Sequence, residues 1–302
     1  MLVALAALWG ASFLFIAIAL DDLGAFGVAE GRIVLGVAGL AAYAAAVGRI
    51  PSLRARWRGW LMLGAVNAAI PFALIGTAQE TLPASLAAIV NATAPLFSAI
   101  GAALWLGEPL GRRAALGLGL GVAGVALVVG GAPLELDAVA LLSVGASLGA
   151  AAAYAVGGHL VRLRFSDESP LALGIGQHVA AFFVLLPGLA LVPPHHVPDA
   201  GAVWAIVALG LACTSMAYVL YFRLIAELGA TSALTVTYLV PVFGVLWAAL
   251  FRDEHITGGM VLGAAVVLAG VILVTRRSPP PPPEGPRAVP RDPLPGPSPA
   301  PR

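Results

Sequence analysis

Residues 94–110 read APLFSAIGAALWLGEPL, and residues 240–256 read VPVFGVLWAALFRDEHI. The two stretches agree at Pro95 with Pro241, Phe97 with Phe243, Ala102-Ala103-Leu104 with Ala248-Ala249-Leu250, and Glu108 with Glu254. Extended without a gap, the same shift of 146 residues pairs 84–128 with 230–274, and 16 of those 45 pairs are identical. Gly117 with Gly263 and Ala123-Gly124-Val125 with Ala269-Gly270-Val271 are among them. The sequence reads as an internal duplication.

The duplicated material is suited to a membrane. The chain has 302 residues, 60% of them hydrophobic and 10% charged, against about 45–50% apolar and about 25% charged for a soluble domain. Uncharged windows such as Leu2 to Leu20, Ala84 to Leu106, Ala114 to Val129 and Thr257 to Thr275 have the length that crosses hydrocarbon. Apolar runs separated by charge, Gly or Pro predict about ten helices, at 2–20, 27–47, 60–78, 83–106, 112–130, 138–161, 170–192, 201–222, 230–251 and 257–275. The connections are short and leave almost no room for a soluble catalytic domain. Met1-Leu2-Val3 leads directly into an apolar run without a basic n-region or an A-x-A-like cleavage site, so the first segment reads as a retained helix.

Basic residues near span ends mark the cytoplasmic side. Arg49, Arg54, Arg56 and Arg58 lie between spans 2 and 3, Arg112-Arg113 between 4 and 5, Arg162 and Arg164 between 6 and 7, Arg223 after 8 and Arg276-Arg277 after 10. The alternate loops carry Asp21-Asp22, Glu80, Glu135 with Asp137, and Asp199, and only Arg252 breaks the pattern. Both termini are expected in the cytoplasm of a bacterial cell, with the chain multi-pass in the inner membrane. Five spans per copy is an odd number, so the second copy crosses in the opposite sense. Arg112-Arg113 then aligns with external Gly258-Gly259, and Arg276-Arg277 with external Gly130-Gly131. The expected fold is an all-α membrane protein of ten transmembrane helices in two inverted five-helix repeats, 1–131 and 138–277. Secondary transporters use such repeats around a midplane site.

Trp9-Gly10-Ala11-Ser12-Phe13, Arg32 at the opening of span 2, PASLAAIVNATAPLFSAIGAALWLGEPL, and AYVLYFRLIAELGATSALTVTYLVPVFGVLWAALFRDE together resemble the EamA-type branch of the drug/metabolite transporter superfamily. The resemblance covers roughly residues 2–275 and implies a ten-helix exporter or importer of small metabolites such as amino acids. The second copy departs from the family pattern at Arg252-Asp253-Glu254, where a Gly usually precedes the Glu.

Pro95 and Pro241 fall inside spans 4 and 9, where proline removes a backbone hydrogen bond and clashes with the carbonyl four residues earlier, here that of Asn91 or Thr237. Freed carbonyls beside Asn91, Thr93, Thr235 and Thr237 mark one candidate pocket; the alternative is a packing kink whose polar side chains re-satisfy the backbone. Arg32 could bind a substrate carboxylate bidentately, or snorkel to the external surface or pair with Glu30. The 146-residue shift carries Arg32 onto His178, a proton relay or a hydrogen-bonded core histidine. Trp9, Asn67, Tyr154, Tyr218 and Tyr221 could line a cavity or serve as interface anchors. Glu108 and Glu254 suit helix N-terminal dipoles, with ion coupling as the other reading.

Other readings are weaker. Gly119 to Gly124 satisfies G-x-G-x-x-G but follows no strand; small residues along spans 5 and 10 more simply allow close helix approach, within the chain or with a second copy in a homodimer. Gly145 to Gly149 satisfies G-x-S-x-G without a strand-to-helix elbow, so a serine hydrolase using Ser147 or Ser12 with His159 or His178 is the enzyme alternative. A channel is the other rival, without a filter motif. The net charge of +1 gives no concentrated basic face for nucleic acid. His195-His196, adjacent in a Pro-rich loop, is poor geometry for a metal. No cofactor is expected, and the expected partners are a small-molecule substrate and the lipid bilayer.

Residues 278–302, SPPPPPEGPRAVPRDPLPGPSPAPR, cannot bury a core and read as a disordered cytoplasmic tail. Deleting them is expected to leave solute flux in reconstituted liposomes within about twofold of the full chain; loss of flux in a correctly inserted truncation would overturn this.

Overall fold

The computed structural model describes residues 1–194, 196–229, 233 and 235–275. The Pro-rich tail, Arg276-Arg277, His195 and most of the start of the ninth predicted span lie outside the described residues. Within them, every regular element is a helix: α1 Leu2–Ala46, α2 Arg54–Gln79, α3 Ala84–Leu106, α4 Arg112–Gly131, α5 Ala138–Arg164, α6 Pro170–Leu191, α7 Ala200–Leu228, α8 Val236–Phe251 and α9 Gly258–Thr275. Eight of the nine are long and apolar enough to cross a membrane, and α8 is a shorter apolar helix.

The first two predicted spans run through one element. Its 45 residues would stretch roughly 67 Å if straight, more than twice the thickness of a bilayer's hydrocarbon core. Gly24 divides it: φ 63 and ψ 172 are non-helical and lie where a side chain would clash. The arms are residues 2–23 and 25–46. Beside the bend, the Asp22 carbonyl accepts from His196 N–H and its carboxylate from Asp199 N–H, tying it to the loop before α7.

Three other helices are irregular. α2 contains a π segment at Ala65–Ala69 and α7 a longer one at Ala208–Met216. α3 is interrupted, with helix over Ala84–Asn91 and again over Ala94–Leu106. Pro95 therefore lies in the first turn of the second piece, where its missing N–H is harmless, while Pro241 lies inside α8. Both prolines lie inside their expected spans, Pro95 at a break in the helix and Pro241 within an unbroken one.

Helix contacts are made through small residues. A Cβ at Gly270 would lie 2.6 Å from the Gly117 carbonyl oxygen, and one at Gly263 would lie 2.6 Å from Val128 N and 2.8 Å from the Gly124 oxygen. Gly117, Gly121 and Gly124 of α4 thus form its seam with α9, backbone on backbone, while a Cβ at Gly119 would meet open space. Leu116, Val122, Val261 and Leu262 lie exposed on the opposite faces, which suits lipid.

Carboxylates hold helix ends. Glu254 Oε1 accepts from Ala84 N–H at 2.8 Å, and Oε2 accepts from Ser85 N–H at 3.0 Å and Ser85 Oγ at 2.5 Å. It caps α3 across 170 residues of sequence, where the helix dipole favours negative charge. Asp253 before it keeps a positive φ of 51, and its repeat equivalent Gly107 has φ 67. The departure from the Gly-Glu pattern therefore preserves the backbone conformation. Glu108 instead pairs with Arg162 at 3.0 Å. At the same end of the molecule Arg56 pairs with Asp167 at 2.7 Å and holds its carboxyl below the ordinary range.

Gly270→Leu is expected to overpack the α4–α9 seam by about 1–3 kcal/mol, read as a lower unfolding midpoint in detergent. An unchanged midpoint would mean the seam is not close-packed.

Candidate functional site

Neutral polar residues have no intrinsic reason to enter an apolar bundle, so where they meet inside one, something holds them there. Asn67 lies in the π segment of α2, where the wider turn re-aims its side chain, and Nδ2 donates to Gln177 Oε1 of α6 at 2.6 Å. Gln177 Nε2 in turn donates to Tyr218 Oη of α7 at 2.7 Å. A Cβ at Gly157 would collide with the Asn67 amide, so α5 yields space for this chain of bonds.

Arg32 lies beside it on the second arm of α1. It is 7% exposed, and its Nε–H donates to Thr214 Oγ1 at 2.9 Å. The Thr214 hydroxyl donates onward to the Leu209 carbonyl, a bond the π segment of α7 makes available. The guanidinium carbon stands 3.9 Å from the centroid of the Phe72 ring, a cation–π contact. Arg32 neither reaches the surface nor pairs with Glu30, whose two oxygens are buried without a hydrogen bond.

His178 of α6 is fully buried, with Nδ1 2.7 Å from the Gly174 carbonyl oxygen. Its ring packs edge-on to Tyr218 at 5.1 Å and lies 5.9 Å from Phe72. Trp9, on the first arm of α1, packs against Tyr218 at 6.4 Å and Tyr221 at 5.4 Å. Tyr154 of α5 is half-buried among the apolar side chains around Phe72. The structure thus gathers Trp9, Arg32, Asn67, Tyr154, His178 and Tyr218. Gln177, Thr214 and Phe72 complete the cluster; sequence alone gave them no distinguishing signal beyond Gln177 adjoining His178.

The proline group is built on α3 and α8. Thr93 Oγ donates to the Val90 carbonyl at 2.7 Å, bridging the interruption in α3. Asn91 Oδ1 is buried without a partner, Thr237 opens α8, and Pro241 is buried. The residues of the hydrolase alternative are not paired among the described residues: neither Ser147 nor Ser12 hydrogen-bonds a histidine, His159 contacts the Ser98 carbonyl at 2.8 Å, and His178 contacts that of Gly174.

The EamA-like transporter family model matches residues 1–130 and again 141–276. A protein of Archaeoglobus fulgidus named an uncharacterized transporter is 29% identical over 276 residues, spanning 87% of this chain and 92% of its own. A Streptantibioticus cattleyicolor protein named "Probable terminal-alkyne amino-acid exporter" is 28% identical over 274 residues, 87% of this chain and 88% of that one. A chain in a solved crystal structure matches with a TM-score of 0.65 at 20% identity, over 91% of this chain and 95% of that one, a likeness of fold.

Gln177→Leu is expected to destabilise by about 1–3 kcal/mol, because it strands the Asn67 amide and the Tyr218 hydroxyl. Thermal unfolding in detergent reads it; a loss under about 0.5 kcal/mol would mean water satisfies both.

Proposed function

This chain belongs to the EamA-like transporter family, and from that premise we propose that it is a secondary transporter, an exporter of small metabolites such as amino acids or related compounds, working by alternating access. That it is a multi-pass membrane protein of a transporter family, rather than of an enzyme family, follows from the family and from its relatives' names. The reading adds ten crossings, with the arms of α1 as the first two, in inverted repeats 1–131 and 138–277. It also adds cytoplasmic termini in a bacterial inner membrane, and a second copy docked on the outward apolar faces of α4 and α9.

One observation carries the proposal: the buried polar contacts join the two halves. Arg32 bonds Thr214, and Asn67 bonds Gln177. Arg32 stands eight residues after Gly24 and His178 eight after Pro170, each roughly 12 Å along its helix at 1.5 Å per residue. Gly24 and Pro170 are themselves 146 apart, so in an inverted arrangement the two side chains enter from opposite faces and meet near the midplane. The π segments of α2 and α7 overlap under the same shift, and such segments recur at functional sites. Asn91, Thr93, Pro95, Thr237 and Pro241 belong to the same reading as substrate-binding residues, with the carbonyls that the prolines free. The sequence has no ATP-binding motif of the G-x-x-x-x-G-K-[ST] kind, so a solute or ion gradient supplies the energy.

Counterflow in proteoliposomes tests this. Vesicles preloaded with one unlabelled L-amino acid are expected to accumulate the same labelled amino acid transiently and saturably. Flux that is linear in concentration without trans-stimulation would favour the channel, and no flux for any metabolite would sink the transporter reading.

A further inference from the structure

We propose that Arg32 is the carboxylate anchor of a binding site for an α-amino acid with an uncharged side chain, and that His178 Nε2 accepts from its ammonium group. This rests on the transport reading above and names the substrate of that same site.

A buried cation persists only when paired, or when a ligand completes it, and arginine near a helix centre costs roughly 2.5–3.5 kcal/mol in a bilayer even when it can adjust. Arg32 carries five N–H donors, of which, among the described residues, only Nε–H is used, on a neutral hydroxyl. Among the described residues, the ion pairs lie near helix ends, between Arg56 and Asp167 or Glu168 and between Arg162 and Glu108. Glu30 precedes Arg32 by two residues on the same helix, roughly 200° around its axis, and has no hydrogen bond of its own. The paired N–H groups of Nη1 and Nη2 therefore remain for a planar anion, and a carboxylate matches that fork.

A second buried group lacks a partner beside it. The Gly174 carbonyl can only accept, so His178 Nδ1 carries the proton of the neutral ring and Nε2 presents a lone pair. Nε2 is buried and, among the described residues, has no hydrogen bond. The Phe72 ring touches both residues, with the Arg32 guanidinium at 3.9 Å and the His178 ring at 5.9 Å. A donor fork and a lone pair flanking one aromatic ring suit a solute whose carboxylate and ammonium are separated by a single carbon. Tyr154 and Tyr218 lie within electrostatic reach of Arg32 and stay half-buried. Their rings, with Trp9, offer an apolar surface for the side chain, and the rings packed against Tyr218 among the described residues, those of Trp9, His178 and Phe222, bring no further charge.

Thermal unfolding of the full chain in detergent tests the assignment with L-leucine and L-phenylalanine, set against L-phenylalaninamide, phenethylamine and 3-phenylpropanoate. The two amino acids are expected to raise the midpoint saturably, and the three analogues to need at least ~30-fold higher concentration, as when one partner of a buried charge contact is removed. Arg32→Gln is expected to weaken the amino-acid response by a similar factor, and Arg32→Lys to restore part of it. Equal stabilisation by the amide or the amine, a full response in Arg32→Gln, or no response of the wild type to either amino acid would each overturn the proposal. The wild-type comparison needs no variant, so a misfolded Arg32→Gln leaves the result decisive. Counterflow of a solute without a carboxylate would overturn the Arg32 assignment and spare transport; binding without any counterflow would do the reverse.

Discussion

Hydrocarbon offers no hydrogen-bond partner, and this one constraint governs the rest of the structure. Each backbone donor and acceptor inside the bilayer has to be met within its own helix, so the regular elements are helices. Lipid is as apolar as leucine, so side-chain hydrophobicity cannot hold those helices together. Close approach does it instead, and the seam between α4 and α9 follows: Gly117 against Gly270 and Gly124 against Gly263, with no room for a methyl group.

The same constraint makes every buried polar side chain conspicuous. Asn67, Gln177 and Tyr218 answer it by bonding one another in a chain. Arg32 answers it only in part, through Thr214 and the face of Phe72. Two π segments make this geometry available, because widening a helix by one residue re-aims the side chains it carries. In α2 the wider segment presents Asn67, and in α7 it presents Thr214. Glu254, capping α3 from the far end of the sequence, ties the two halves at one face by the same logic of satisfying orphaned N–H groups.

Much of this was legible beforehand, for identifiable reasons. Helix extents were readable because charge and proline punctuate an apolar chain, and α4 at Arg112–Gly131 and α6 at Pro170–Leu191 lie within a residue of the expected 112–130 and 170–192. Arg32 and His178 were readable because an ionisable residue inside an apolar run stands out. The partners were not: Thr214 and Gln177 are neutral, and Phe72 is one apolar residue among many. The interruption of α3 was also hidden, since Pro95 and Pro241 look equivalent in sequence, yet Pro241 stays inside a helix while Pro95 restarts one.

By itself, the sequence determined that this is a helical, multi-pass membrane chain carrying a repeated segment. Composition and periodicity are local properties, and the bilayer acts on them span by span. Only the tertiary structure decided which side chains meet. That Arg32 faces Thr214 and Phe72 rather than Glu30, and that Glu254 caps Ala84 and Ser85 rather than its own neighbouring helix, depends on how helices cross. Those crossings are set by glycine contacts and hydrogen bonds between residues more than a hundred positions apart, and no local pattern records them.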